Sequence, residues 1–303
     1  MPPTFYFAIG ARPRRRDLDV ALAAGQRHFL VPVGSTAIPW LRHRPGVRVA
    51  LDSAAWPPDN PSRPTLAAYV RSILAWQLPD GSWGNLDWAA SYDHIGNPDA
   101  TRRDHARLLE LLRSYGAGDA PIVASVQYPE DAGAVVLRDA EGKLRDGAAA
   151  RPRFGVGGLV PHLSPTQPRA VFREADAWFD ALLADLTSAV DAGADSDSVA
   201  LHLFGIGRPG FVLRSPLIVS CDSSGPAQIA MHGWQTIAPR YTPAYGLSAE
   251  KLQTSREARL AYGLLAYRAA LGLPWRPVND IDFQDDPAPS PRIQLSLDSL
   301  LAA

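Results

Sequence analysis

Eight short apolar runs recur along the chain, at 5–10, 29–33, 47–51, 86–92, 122–126, 154–160, 200–206 and 217–221. Continuous apolar runs of this length are what strands look like when helices cover both faces of a parallel sheet. Most are followed by helical spacing, at 17–24, 66–76, 99–115, 169–192 and 248–271; in 99–115, Leu108, Leu109, Leu111 and Leu112 form the apolar side. Eight strands alternating with helices predict an α/β fold, a single (β/α)8 barrel spanning residues 1–273. The rival is an open doubly wound sheet. It is disfavoured because no Gly-x-Gly-x-x-Gly follows the first strand, and Gly155-Val156-Gly157-Gly158 lies deep in the chain within a strand. The connection 131–151 is the least regular and suits a small hairpin as well as a helix. From Pro274 the chain is rich in proline and acids, so 274–303 is expected to be a tail packed on the surface.

Composition narrows the chemistry. With 303 residues, 46% of them hydrophobic, the chain can bury one large core. Thirty basic and 31 acidic residues nearly cancel, which does not suit a strongly basic nucleic-acid module. Lys143 and Lys251 are the only lysines, so phosphate contacts would fall to arginine. A single cysteine, Cys221, excludes an intrachain disulfide and a cysteine-rich zinc or iron–sulfur cage. The seven histidines are scattered and no His-x-His follows the first strand, which disfavours a metal-dependent barrel hydrolase; no metal or cofactor is expected. No apolar run is long enough to span a membrane and the start carries no signal peptide, so a cytoplasmic location is expected.

In a parallel barrel the catalytic groups gather at the C-terminal ends of the strands. Those ends collect Asp52, Asp93, Gln127, Gly158 with Leu159, Gly205 and Asp222. Each alone reads more simply as a turn former, helix cap or tight-packing glycine. Their convergence on one face suggests a site in which Asp52 and Asp222 face each other.

The motifs at these ends, in the same order, resemble the tRNA-guanine transglycosylase family. Leu51-Asp52-Ser53-Ala54-Ala55-Trp56 is similar to that family's Asp-Ser-Gly-Gly-aromatic motif. Tyr92-Asp93 resembles its base-reading aspartate and Val126-Gln127 its glutamine. Gly157-Gly158-Leu159 matches its Gly-Gly-Leu loop, and His202-Leu203-Phe204-Gly205-Ile206-Gly207 resembles its Leu-Met-Gly-Val-Gly strand. Ser220-Cys221-Asp222-Ser223 takes the place of its nucleophile. The resemblance covers residues 48–225. It implies replacement of guanine in a nucleic acid by a 7-deazaguanine base. Asp222 would attack the sugar C1′ to give a covalent glycosyl-enzyme, and Asp52 would move protons on and off the base. Asp93, Gln127, Gly158 and Leu159 would hold the base edge, and Trp56 and Phe204 would stack on its ring.

The chain also departs from that pattern. The family members acting on tRNA carry a Cys-x-Cys-x-x-Cys plus His zinc site and arginines just after the nucleophile. Here 225–232 has no arginine and no cysteine. The zinc-less branch that modifies DNA is therefore the better match, so DNA is favoured over tRNA as the partner, with the base flipped out or the strand melted. Arg12, Arg14, Arg15 and Arg16 after the first strand, and Arg208 after the seventh, are the candidate phosphate ligands. Two alternatives stay open. One is a base exchanger or ribosyltransferase acting on a free nucleoside or nucleotide. The other is a non-catalytic base-binding subunit, and the sequence is compatible with a homodimer or a partner subunit.

Overall fold

The computed structural model describes residues 2–55, 60–129, 136, 152–163, 167–232 and 247–275. Eight parallel strands close into a barrel in sequence order: β1 (Thr4–Ala8), β2 (His28–Pro32), β3 (Arg48–Asp52), β4 (Leu86–Ala90), β5 (Ile122–Gln127), β6 (Phe154–Gly157), β7 (Leu201–Leu203) and β8 (Ile218–Ser223). β8 returns to pair with β1, placing Asp222 opposite Tyr6. The expected (β/α)8 barrel is the observed architecture. The connection 131–151 falls almost wholly outside the described residues, as does the tail beyond residue 275.

The helices around the barrel are α1 (Arg15–Ala23), α2 (Ile38–Leu41), α3 (Leu66–Leu74), α4 (Pro98–Ser114), α5 (Arg169–Asp191), α6 (Pro209–Val212), α7 (Gly225–His232), α8 (Ala249–Thr254) and α9 (Arg256–Ala270). Local chemistry sets several boundaries. Asn97 caps α4 through its side chain, which accepts from the Ala100 N–H, with Pro98 at the first helical position where no N–H is needed. The single helix expected over 248–271 is two. Ser248 accepts from the Lys251 N–H and Ser255 from the Ala258 N–H, so a second cap interrupts the run. No helix among the described residues is long and apolar enough to cross a membrane.

Two apolar layers follow from strand alternation. Outward residues such as Phe7, Phe29, Val49, Leu51 and Val156 pack under the helices. Inward residues Tyr6, Leu30, Ala50, Trp88, Ala90 and Val123 fill the barrel interior. The interior is aromatic at its centre: His202 lies 4.7 Å from Trp88 and 4.9 Å from Phe204 between ring centroids, all tilted edge to face. This plug closes the barrel from below and leaves the C-terminal ends of the strands as the rim of a cavity.

Candidate active site

A cavity of about 310 Å³ opens at those ends, large enough for a small planar ring system. Its wall includes Ala8, Asp52, Asp93, Gly157, Phe204 and Asp222, contributed by or just after six different strands. Asp52 and Asp222, far apart in the chain, thus share one cavity with a third carboxylate, Asp93.

Asp222 is held by two donors on one oxygen. Its Oδ1 accepts from the Gly205 N–H at 2.8 Å and lies 3.0 Å from His202 Nε2. No hydrogen bond within the described residues falls on Oδ2, so that oxygen is left for the cavity. His202 is fixed in turn, with Nδ1 2.9 Å from Ser220 Oγ. Gly205 serves here because the β7 exit turns through a left-handed conformation, φ 71°, that presents its N–H to the carboxylate.

Asp52 has a different environment. It ends β3, half-buried on the cavity wall, and the N–H of Ala54 hydrogen-bonds to its carboxylate. Loss of solvent, then the nearby charges of Asp222 and Asp93, push its pKa up to about 6. Ala54 adopts φ 60°, a left-handed turn usually given to glycine, where the resembling motif has one.

Asp93 is buried, and desolvation raises its pKa despite hydrogen bonds that favour the charged form. Its Oδ1 accepts from Thr101 Oγ1 at 3.1 Å and from Gln127 Nε2. Its Oδ2 faces the Gly157 side of the cavity, 3.8 Å from where a Gly157 side chain would begin. Arg63, reaching in from a proline-rich loop, donates to the Asp93 carbonyl and lies 3.9 Å above the Tyr92 ring. Its charge offsets a small part of the rise at both Asp52 and Asp93 without joining the cavity wall.

The remaining expected site residues divide. Phe204 is in the wall, and its ring lies where a side chain on Gly155 would be, so glycine at 155 makes the room. Gly158 is in the wall at φ 76°, with the Tyr128 backbone only 3.1 Å from where a side chain would begin. Gln127 is not in the wall. It is fully buried behind Asp93, with Nε2 reaching Asp93, the His94 carbonyl and Thr101, and Oε1 accepting from the Gly96 N–H at 2.8 Å. Leu159 is likewise absent from the wall, its side chain buried in the outer core. Trp56 lies outside the described residues.

None of the five candidate phosphate ligands lines the cavity. Arg12 and Arg14 are exposed in the β1–α1 turn, whereas Arg15 and Arg16 belong to the first turn of α1, also exposed. Arg15 lies 3.6 Å from Asp19 and 5.0 Å above the Trp40 ring. Arg208 is half-buried and donates to the Leu163 carbonyl at 3.0 Å, so it props the β6–α5 connection.

His202, Thr101 and Arg63 carry parts of the site that reading the sequence did not assign. For His202 a signal existed: His202 and Phe204, like Ser220 and Asp222, alternate with apolar residues at period two, and His202 pairs in register with Ser220. Among the described residues no group of three or more His, Cys, Asp or Glu side chains is placed to hold a metal ion. No protein-family model matches the chain, and no curated protein matches it.

Proposed function

We propose that the chain is a base-exchanging glycosyltransferase that removes guanine from a nucleic acid and installs a 7-deazaguanine base. The observation that carries this reading is the pair Asp52 and Asp222. They share one cavity, yet one is pinned by donors while the other is left poorly solvated with a pKa of about 6. Two carboxylates in contrasting environments suit two roles, nucleophile and proton carrier.

Asp222 Oδ2 attacks the sugar C1′ as the C1′–N9 bond breaks. The leaving guanine takes the proton of the Asp52 carboxyl. The incoming base returns a proton to the Asp52 carboxylate, and its ring nitrogen attacks C1′ from the same face, releasing Asp222 with configuration retained. The Gly205 N–H and His202 hold the nucleophile in line. Asp93 Oδ2 accepts from the amidine N–H groups of the base, and Phe204 lies under the ring. No lysine or arginine lines the cavity among the described residues, so it suits an uncharged base whose phosphates stay on the rim. The exposed Arg12, Arg14 and Arg16 lie on that side, which favours a polymer over a free nucleotide, and the lack of zinc-site cysteines and of arginines over 225–232 favours DNA ahead of tRNA.

The test is incubation with labelled guanine and, in separate arms, DNA, tRNA and guanosine, followed by mass spectrometry of the Asp222 peptide from reactions trapped in acid. Label entering one substrate with a sugar adduct on Asp222 is the expected result. Binding of guanine with no exchange in any arm would instead identify a non-catalytic subunit.

A further inference from the structure

The two oxygens of Asp222 are not equivalent. Oδ2 has no partner among the described residues and is not closed off from solvent, so it is the oxygen that opens on the cavity. Oδ1 is full. A carboxylate oxygen offers about two lone-pair positions, and those of Oδ1 meet the Gly205 N–H at 2.8 Å and His202 Nε2 at 3.0 Å. An ionised carboxylate only accepts, so His202 presents Nε2–H to it. The ring has no freedom to turn away. Its Nδ1 is engaged by Ser220 Oγ at 2.9 Å, and Tyr6, Trp88 and Phe204 box it edge to face in a fully buried position.

In-line displacement of a β-linked base brings Asp222 Oδ2 to the α face of the sugar. Ribose carries its 2′-hydroxyl on that same face. In double-displacement glycosyl transfer, hydrogen bonds to this hydroxyl strengthen in the transition state. The second oxygen of the attacking carboxylate is the acceptor beside it, and here that oxygen is already taken. Asp222 is only 3% exposed, so a hydroxyl set against it would lose water and gain no acceptor from Oδ1. A 2′-deoxy carbon makes no such demand. We infer that His202 is a positioning residue that sets sugar specificity: by filling Asp222 Oδ1 together with the Gly205 N–H, it fits the site to a 2′-deoxyribosyl group and against a ribosyl one. The inference rests on the base-exchange reading and gives its preference for DNA a cause inside the cavity.

Two DNA oligonucleotides of one sequence, with the guanosines 2′-deoxy in one and ribo in the other, isolate the hydroxyl from the rest of the polymer. Uptake of labelled guanine by each, with the intact protein, measures the preference. The wild type is expected to favour the deoxy form by about tenfold or more. His202→Phe and His202→Leu remove the donor and free a position on Oδ1, so in each the preference should fall to about threefold or less. Both sugars are measured on one preparation, so loss of folded protein lowers both rates and leaves their ratio unmoved. His202→Gln, which keeps an N–H of similar reach, should restore most of the preference. Ser224→Ala removes the exposed wall hydroxyl two residues beyond Asp222 and should leave the ratio unchanged. Equal exchange into the two forms by the wild type, a preference that survives both His202→Phe and His202→Leu, or one that disappears in Ser224→Ala overturns the inference while the base-exchange reading stands. Exchange confined to tRNA or guanosine does the same. If label enters neither oligonucleotide, nor tRNA, nor guanosine, the base-exchange reading falls and takes the inference with it.

Discussion

The two ends of the barrel interior solve the same problem in opposite ways. At the N-terminal end one carboxylate, Asp87, is fully compensated: it accepts from Tyr6 Oη at 2.9 Å and pairs with Arg48, and Tyr6 in turn accepts from Trp88 Nε1 at 3.0 Å. Nearby Gln26, fully buried, donates to the Phe5 and His28 carbonyls and accepts from Arg268. At the C-terminal end three carboxylates share a wall with no lysine or arginine among the described residues, and there the buried hydroxyls of Ser53 and Ser125 have no partner among those residues. Burying polar groups uncompensated is costly, so the closed end reads as structure and the open end as a site held ready for a ligand.

The sharpest way to break this comparison is to remove one charge from the open end. Asp222→Asn keeps the shape and an oxygen for Gly205, and should lower exchange by about 10³-fold or more while the protein stays folded. Wild-type rates for this variant would reduce Asp222 to a structural acid like Asp87.

Next is Asp52→Asn, expected to lower exchange by about 10²-fold or more through loss of proton transfer. Its stability effect should run the other way. The folded pKa of about 6 lies above the ordinary carboxylate value of 3.8. The stability that Asp52 contributes is therefore fully present below about pH 4, and lost as pH rises through about 6. Allowing for its contact with solvent through the cavity, Asp52→Asn should be more stable than wild type by about 1–2 kcal/mol at pH 8 and nearly equal to it at pH 4. Urea unfolding at the two pH values measures this. Equal differences at both would mean that Asp52 is not desolvated in the folded protein.

At the closed end the pattern should invert. Asp87→Ala removes the acceptor of Tyr6 and the partner of Arg48, and should cost about 2 kcal/mol of stability. Exchange by the folded fraction should stay near wild type, since Asp87 lies on the far side of the aromatic plug. A selective loss of activity would mean that the plug transmits changes from one end to the other.

Much of the barrel was legible in the sequence, for identifiable reasons. Strands buried on both sides are continuous apolar runs, so all eight were visible, and the acids that interrupt them at Asp52 and Asp222 were visible as exceptions. Helix ends were less so: the cap at Ser255 splits a run whose hydrophobic spacing is continuous. Partnership was the least legible. Nothing local says that Gln127 turns its amide toward Asp93 and His94, or that Arg63 crosses from a proline-rich loop to the Asp93 carbonyl. Those contacts join residues 30 or more positions apart, and which of a side chain's donors remain for a substrate is decided by such contacts. Hence Asp52, Asp93, Gly158, Phe204 and Asp222 meet at one cavity, while Gln127, Leu159 and the candidate arginines are not in its wall.

The smallest expected effect separates strain from function at the open end. Ala54 and His43 are the two non-glycine residues with positive φ among the described residues, at 60° and 62°; the first follows Asp52 and the second is remote from the cavity. A left-handed conformation costs an L-residue about 1 kcal/mol, and glycine's greater freedom in the unfolded chain offsets about half of that or more. Ala54→Gly and His43→Gly should therefore each raise stability by about 0.5 kcal/mol at most, a rise in Tm of about 1–2 °C. The Ala54 N–H that binds Asp52 does not depend on the methyl group, so exchange should stay within about twofold of wild type. A gain at Ala54 much larger than at His43, with a fall in activity, would show that the turn after Asp52 stores strain that places the carboxylate. Equal small gains leave desolvation and the neighbouring charges as sufficient causes of its raised pKa.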